Sequence, residues 1–530
     1  MLFRLRDRGE DAGELSLGIG VQSLLPGWRR RSQQARRRSR FWQGGALLAL
    51  LAVPLAVFAQ QPGNVLLESN EQIFCILAAL NAGGYDTGLS AGAAEVPREE
   101  VRAFLAKKDA PIVHDLGKFY VGHRVESDPG AELGQYVSLA LLLGPPPDFR
   151  FTIPQTDLPP DAKDVAGIVP LLKTFYNQGG LLDLWARVQP RYRAAVELYA
   201  DAVRKSVVLT DAYFRFPAGA YLGRTYAIYL DLLGAPEQVQ ARIYGTNYYL
   251  VVTPSKQPKL NEIRHQYLHF LLDPLAAKYA PEIHQKVDLR AIVYQAPSLA
   301  ADFKEDFPLL VTECLIRAAE LRMDKRPKAE AERSLDEMTA SGLILARYFY
   351  EALQKYEQQE SSMARFYRQM ISDINLRAEQ KRLAPVKFTP LAAPTAQAAA
   401  PVVSEEERLL NQGDNFFYGG RYNDAKTAFQ TVLEKFNPKS GRALFGMAVV
   451  ASNMRKPDLA EEYFQKTLEM ARDLRIVTWS HIYLGRLWDL KGDREKAVSQ
   501  YRAASLTATA YPEAWRAVQA GLERAFGSKE

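Results

Sequence analysis

Cysteine is nearly absent: the 530 residues contain two, Cys75 and Cys314. A disulfide-stapled scaffold is excluded, as is a C-x-x-C redox centre or a thiolate metal cluster, each of which needs closely spaced thiols. The two thiols have one way to pair in an oxidising compartment. They read equally well as unrelated buried residues, because a chain of this size needs no staple. Histidine is scarce as well, with six residues in all. The G-x-x-x-x-G-K-[ST] phosphate loop does not occur, which removes the common nucleotide-hydrolase readings.

Lysine is missing from residues 1–59, which hold ten of the 67 basic residues, all Arg, and four of the 61 acids. The rest of the chain carries 57 of each sign, so the formal charge of +6 belongs to this leader and no basic field for nucleic acid remains. Arg29–Arg31 and the Arg36–Arg40 cluster precede an apolar run, Ala46–Ala59, that ends Val57-Phe58-Ala59. That order of charged region, apolar region and small residue predicts a signal peptide cut near Ala59. The run is too short to cross a bilayer comfortably, and an uncleaved anchor is the alternative. The expectation is export to the periplasm or beyond, with no stable membrane span after cleavage. Residues 1–28 form an extension ahead of the signal.

Periodicity divides the residues beyond the leader. Residues 60–210 are mostly helical, with amphipathic segments around Glu71–Asn81, Pro97–Lys107, Ala131–Leu143 and Leu182–Lys205. Residues 211–383 open with β-branched and aromatic runs. Tyr226–Leu230 and Ile243–Val252 predict two strands separated by a turn at Gly234-Ala235-Pro236. Helical periodicity then resumes. Residues 384–403 are rich in Ala and Pro and nearly uncharged, the composition of a linker.

Residues 404–530 repeat themselves about every 35 residues. Gly413, Ala448 and Gly485 occupy one small position, and Ala425, Ala460 and Ala497 a second. Phe429, Phe464 and Tyr501 stand four residues after those alanines. Small residues let paired helices approach, and the aromatics fill the grooves between them. This pattern resembles the tetratricopeptide repeat over about residues 404–509, with Pro512–Phe526 as a capping helix. The resemblance implies an α-solenoid that binds a protein or peptide in its groove, where helical phase points to Asn411, Asn415, Arg442 and Arg486. The plainer reading is that the repeats only pack against the neighbouring domain or self-associate.

His265 and His269 lie four residues apart in Arg264-His265-Gln266-Tyr267-Leu268-His269-Phe270-Leu271-Leu272-Asp273-Pro274, so they share one helix face with Asp273. HQYLH is similar to the HExxH of gluzincin metallopeptidases, in which two histidines and a glutamate from a later helix hold zinc. The resemblance covers roughly residues 220–330 and implies an α+β zincin-like central domain in a mainly α chain. It makes Glu313, in Val311–Arg317, the third ligand. It departs at Gln266, where the family has its general base: a carboxamide cannot take a proton from water, so no catalytic residue is assigned. Glu262, one turn before His265, does not match the family's base geometry. The other four histidines read as structural. Three functions stay open: a protein-binding protein with an inactive pseudo-metallopeptidase domain, an active zinc metallopeptidase whose repeats recruit substrate, and a cell-envelope scaffold.

Overall fold

Strands in the central region are short, and their alternation decides which helices they hold together. The computed structural model describes residues 65–528 except 86–94, 109, 126–128, 217–222, 236–237, 255–257, 391–404, 419 and 510. The expected extension, signal and cleavage site lie outside the described residues, as does most of the expected linker.

Four strands make one sheet: β1 (Val65–Glu68), β2 (Thr225–Leu230), β3 (Val239–Tyr244) and β4 (Asn247–Val252), in the order β1-β2-β4-β3. The run expected as a single strand from Ile243 is cut by Gly245, whose φ of +58° suits a residue without a Cβ. The chain reverses there, and β3 pairs antiparallel with β4 from Val239↔Val252 to Tyr244↔Asn247. β2 runs parallel to β4, and β1 runs parallel to β2 with Val65 opposite Tyr226. After β2 the buried Asp231 gathers the amides of Leu233 and Gly234, at 3.2 and 2.6 Å, to shape the expected turn.

Successive side chains leave a strand on opposite faces. Tyr226, Ile228, Leu230, Tyr248, Leu250 and Val252 enter one core with the helices Leu260–Lys278 and Phe307–Met323. Tyr229, Tyr249 and Val251 enter a second core built on the helix Glu71–Ala82. A mostly parallel sheet needs both faces covered, and here helices cover both. Cys75 sits in the second core and Cys314 in the first, both buried and unbonded, so the pairing weighed from the sequence is not made.

The expected border at residue 210 falls inside the 34-residue helix Leu181–Phe214. Its first half packs Leu184, Trp185 and Tyr192 into one core, and its second half packs Tyr199, Val203 and Phe214 into the other. The start of the expected linker is fixed too, since Val386 and Phe388 pack against the first core and Thr389 donates to the Ala340 carbonyl at 2.8 Å.

Three helix pairs complete the C-terminal region: Glu405–Tyr418 with Tyr422–Lys435, Gly441–Asn453 with Pro457–Met470, and Leu474–Leu490 with Arg494–Ala508, closed by Pro512–Glu523. The last helix packs on the histidine helix Leu260–Lys278. The Gly245 amide donates to the Leu506 carbonyl at 3.1 Å, Arg472 meets Asp164 at 2.9 Å, and Arg475 is ion-paired with Glu305. Among the described residues, no helix is long and apolar enough to cross a membrane. Among the described residues the chain is mainly α with this one small sheet.

Candidate functional site

The histidine helix turns Ile263, Tyr267, Leu268, Phe270 and Leu271 into the core, which leaves His265, Gln266 and His269 half-buried on another side. The helix Phe307–Met323 packs against it and starts at Asp306, whose carboxylate accepts from the Leu309 amide at 2.9 Å. Two turns after that cap, Glu313 faces the histidines.

Both imidazoles aim Nε2 at the same atom. His265 Nε2 is 3.5 Å and His269 Nε2 3.3 Å from Glu313 Oε2. One ligand atom from each of the three residues lies within 4.8 Å of the others. Zinc holds nitrogen and oxygen at about 2.0–2.1 Å in a tetrahedron, which puts its ligand atoms about 3.4 Å apart. The two observed separations are close to that spacing, so the three residues form a group that could hold a metal ion such as zinc.

The other side of each ligand is held as well. His265 Nδ1 is 3.1 Å from Glu320 Oε1, and His269 Nδ1 is 3.1 Å from Asp273 Oδ1. A carboxylate behind Nδ1 fixes the tautomer and aims the free Nε2, as second partners do in metal sites. Tyr248 of β4 hydrogen-bonds Asp273 at 3.4 Å, which ties the sheet to the site. Arg317 binds Glu313 Oε1 at 2.7 Å and Glu320 Oε2 at 3.3 Å, so Oε2 is the Glu313 oxygen left for the histidines.

Charge follows from this packing. Burial alone would raise the Glu313 carboxyl, but His269, His265 and Arg317 together bring it down to about 2. Burial opposes a charge on His269, yet Asp273 and Glu313 outweigh it and lift the imidazole to about 10. His269 is therefore an imidazolium between the Asp273 and Glu313 carboxylates at neutral pH, and a metal ion held at its Nε2 would take the place of a proton.

A cleft of about 520 Å³ opens beside His265, lined by Gln266, Glu262, Arg264, Arg317 and Glu320, with Val239 of β3, Leu321 and Met338 as an apolar wall. Gln266 thus borders the same space as the first histidine. Glu262 borders it as well, with an ion pair to Lys259 at 3.6 Å.

In the repeats, the aromatics are clamped by glycines. A Cβ at Gly413 or at Gly446 would stand 2.6 Å from the Phe429 ring, and one at Gly485 or Gly521 would stand 2.7 or 2.5 Å from Tyr501. Gly420 and Gly492, with φ of +72° and +82°, make the turns of the first and third pairs. In the middle pair Arg455 takes the left-handed place at +57°, ahead of Pro457.

The expected groove residues part company here. Arg442 donates to Asn411 Oδ1 at 2.7 Å and to Asp414 Oδ2 at 2.5 Å. Arg486 lies over the Phe526 and Tyr483 rings at 4.9 and 5.6 Å. The Asn415 side chain lies outside the described residues. Asp414 was not among the residues expected from the sequence. It is fully buried, and burial pushes its carboxyl up to about 6 against the pull of Arg442. Its only signal was its place on the same helical face as Asn411. Gly88–Gly92 reads G-L-S-A-G, a match to G-x-S-x-G, but a helix precedes it where a nucleophile elbow has a strand.

Residues 409–440, which cover most of the first helix pair, match a family profile described as tetratricopeptide repeat. The two pairs after it have the same build, which fits a C-terminal array of such repeats. Repeats of this kind generally mediate binding between proteins. No curated protein and no solved structure matches the chain.

Proposed function

We propose that the chain is an exported protein-binding protein in which a zincin-like α+β domain keeps a zinc site but has lost peptidase chemistry. The three helix pairs form an α-solenoid whose groove takes a protein or peptide. The observation that carries the metal reading is the convergence of His265 Nε2 and His269 Nε2 on Glu313 Oε2 at 3.5 and 3.3 Å. His265, His269 and Glu313 would hold the ion, and Glu320, Asp273 and Arg317 would keep them aimed. Zinc there would supply a Lewis acid for a carbonyl or a water. What is missing is a base: Gln266 borders the cleft and has no oxygen basic enough to accept a proton. Export rests on the Arg-rich leader and its apolar run.

An active peptidase is the second reading, favoured by Glu262 in the same cleft. The two are separated by measuring zinc per chain and the cleavage of casein before and after Gln266→Glu. Zinc at one equivalent with no cleavage, and cleavage gained by the variant, is the outcome expected here. Cleavage by the unaltered chain that is lost in Glu262→Gln would establish the second reading, and no zinc in any variant would sink both.

A further inference from the structure

Gln266 and Arg317 border one cleft, so an amide and a guanidinium face the same space. Where an active enzyme has a carboxylate, Gln266 presents an amide that donates. In the same cleft, Arg317 spends Nε on Glu313 and Nη1 on Glu320. Those two carboxylates fix the guanidinium, yet its side chain keeps 40% of its surface exposed and Nη2 has no protein acceptor among the described residues. Each acid that borders the cleft has a cationic partner. Glu320 is held by His265 and Arg317, Asp324 by Arg264 at 2.7 Å, and Glu262 by Lys259 at 3.6 Å. Val239, Leu321 and Met338 offer an apolar surface within the same space of about 520 Å³.

Resting on the metal reading above, we infer that this cleft binds the carboxylate end of a ligand that carries an apolar side chain, such as a peptide C-terminus, through Gln266 and Arg317. The glutamine then has a purpose beyond the loss of a base. A glutamate at the same place would put a second negative charge within a few ångströms of the ligand's carboxylate, whereas the amide donates to it.

The test uses cobalt(II) as a visible reporter in the purified chain. N-acetyl-leucine and N-acetyl-leucinamide are titrated in turn, followed by the cobalt absorbance and by calorimetry. The acid is expected to bind and change the spectrum, with the amide at least tenfold weaker. Gln266→Glu should take up cobalt as before but lose on the order of a hundredfold in affinity for the acid, from like-charge repulsion at about 5 Å. Arg317→Gln also frees Glu313 and Glu320, so its cobalt uptake is measured first; at equal cobalt loading it should weaken the acid at least tenfold more than the amide. Cobalt uptake with equal binding of acid and amide, or an unaltered affinity in Gln266→Glu, would overturn the inference and leave the metal reading standing. No cobalt uptake, with His269→Ala indistinguishable from the parent, would overturn both.

Discussion

Gly446→Ala tests how tightly the repeats are built, and its cost can be worked from the ring it faces. The added methyl would sit 2.6, 2.7 and 2.8 Å from three atoms of Phe429. Carbon atoms rest at about 3.5–4.0 Å, so the shortfall is near 1 Å. The ring has little room to retreat, because a Cβ placed on Gly413, along its other edge, would itself stand 2.6 Å from it. Overpacking of that kind costs about 3 kcal/mol. Alanine's better helix propensity returns about 1 kcal/mol. The expected net loss is about 2 kcal/mol, read by urea unfolding of the full chain with far-UV circular dichroism and tryptophan fluorescence. A cycle with Phe429→Leu isolates the clash, since leucine lacks the ring atoms involved. The double variant should recover about 1.5 kcal/mol relative to the sum of the singles. A neutral Gly446→Ala, or costs that add within about 0.5 kcal/mol, would refute the packing argument.

Other outcomes rest on single contacts. Arg442→Gln leaves the buried Asp414 carboxylate without its cation, and unfolding should show a loss of about 3 kcal/mol at pH 8 that shrinks below the Asp414 value of about 6. Asp231 is fully buried, and burial raises its carboxyl from 3.8 to about 6. A raised acid contributes its stability below the unfolded value and loses it as pH rises through the folded one, so the parent should fall relative to Asp231→Asn by about 2.5 kcal/mol between pH 4 and pH 7.5. Lys325, just past the cap of the helix Phe307–Met323, has a φ of +50°, and Lys325→Gly should stabilise the chain by about 0.5–1 kcal/mol in the same assay. Zinc at a hundred times its dissociation constant should add about 2.7 kcal/mol to the parent and nothing to His269→Ala.

How far the sequence could be read depended on how local the cause was. The repeats announced themselves because Ala425, Ala460 and Ala497 and the aromatics after them recur along the chain itself. The separation of His265 and His269 is a property of one helix, and Glu313 came from the resemblance. By contrast β1 is four residues long and acquires its meaning from Tyr226–Tyr229, about 160 residues away, so no periodicity betrays it. The break at Gly245 was hidden because β3 and β4 are both β-branched and aromatic and read as one run. Asp273 was legible on the histidines' own helix face, whereas Glu320 and Arg317 take their places beside them only once two helices are packed. Asp414 looked like any solvated polar residue until Arg442 from the next repeat closed over it.

That first strand has a consequence for anyone shortening the protein. β2 is an interior strand solely because Val65–Glu68 lies along its flank. Trimming the chain to residue 70 would bare the backbone of Thr225–Leu230, a hydrophobic edge of the kind that recruits other chains. A few residues that look like a dispensable leader are what keeps the sheet from seeking a neighbour.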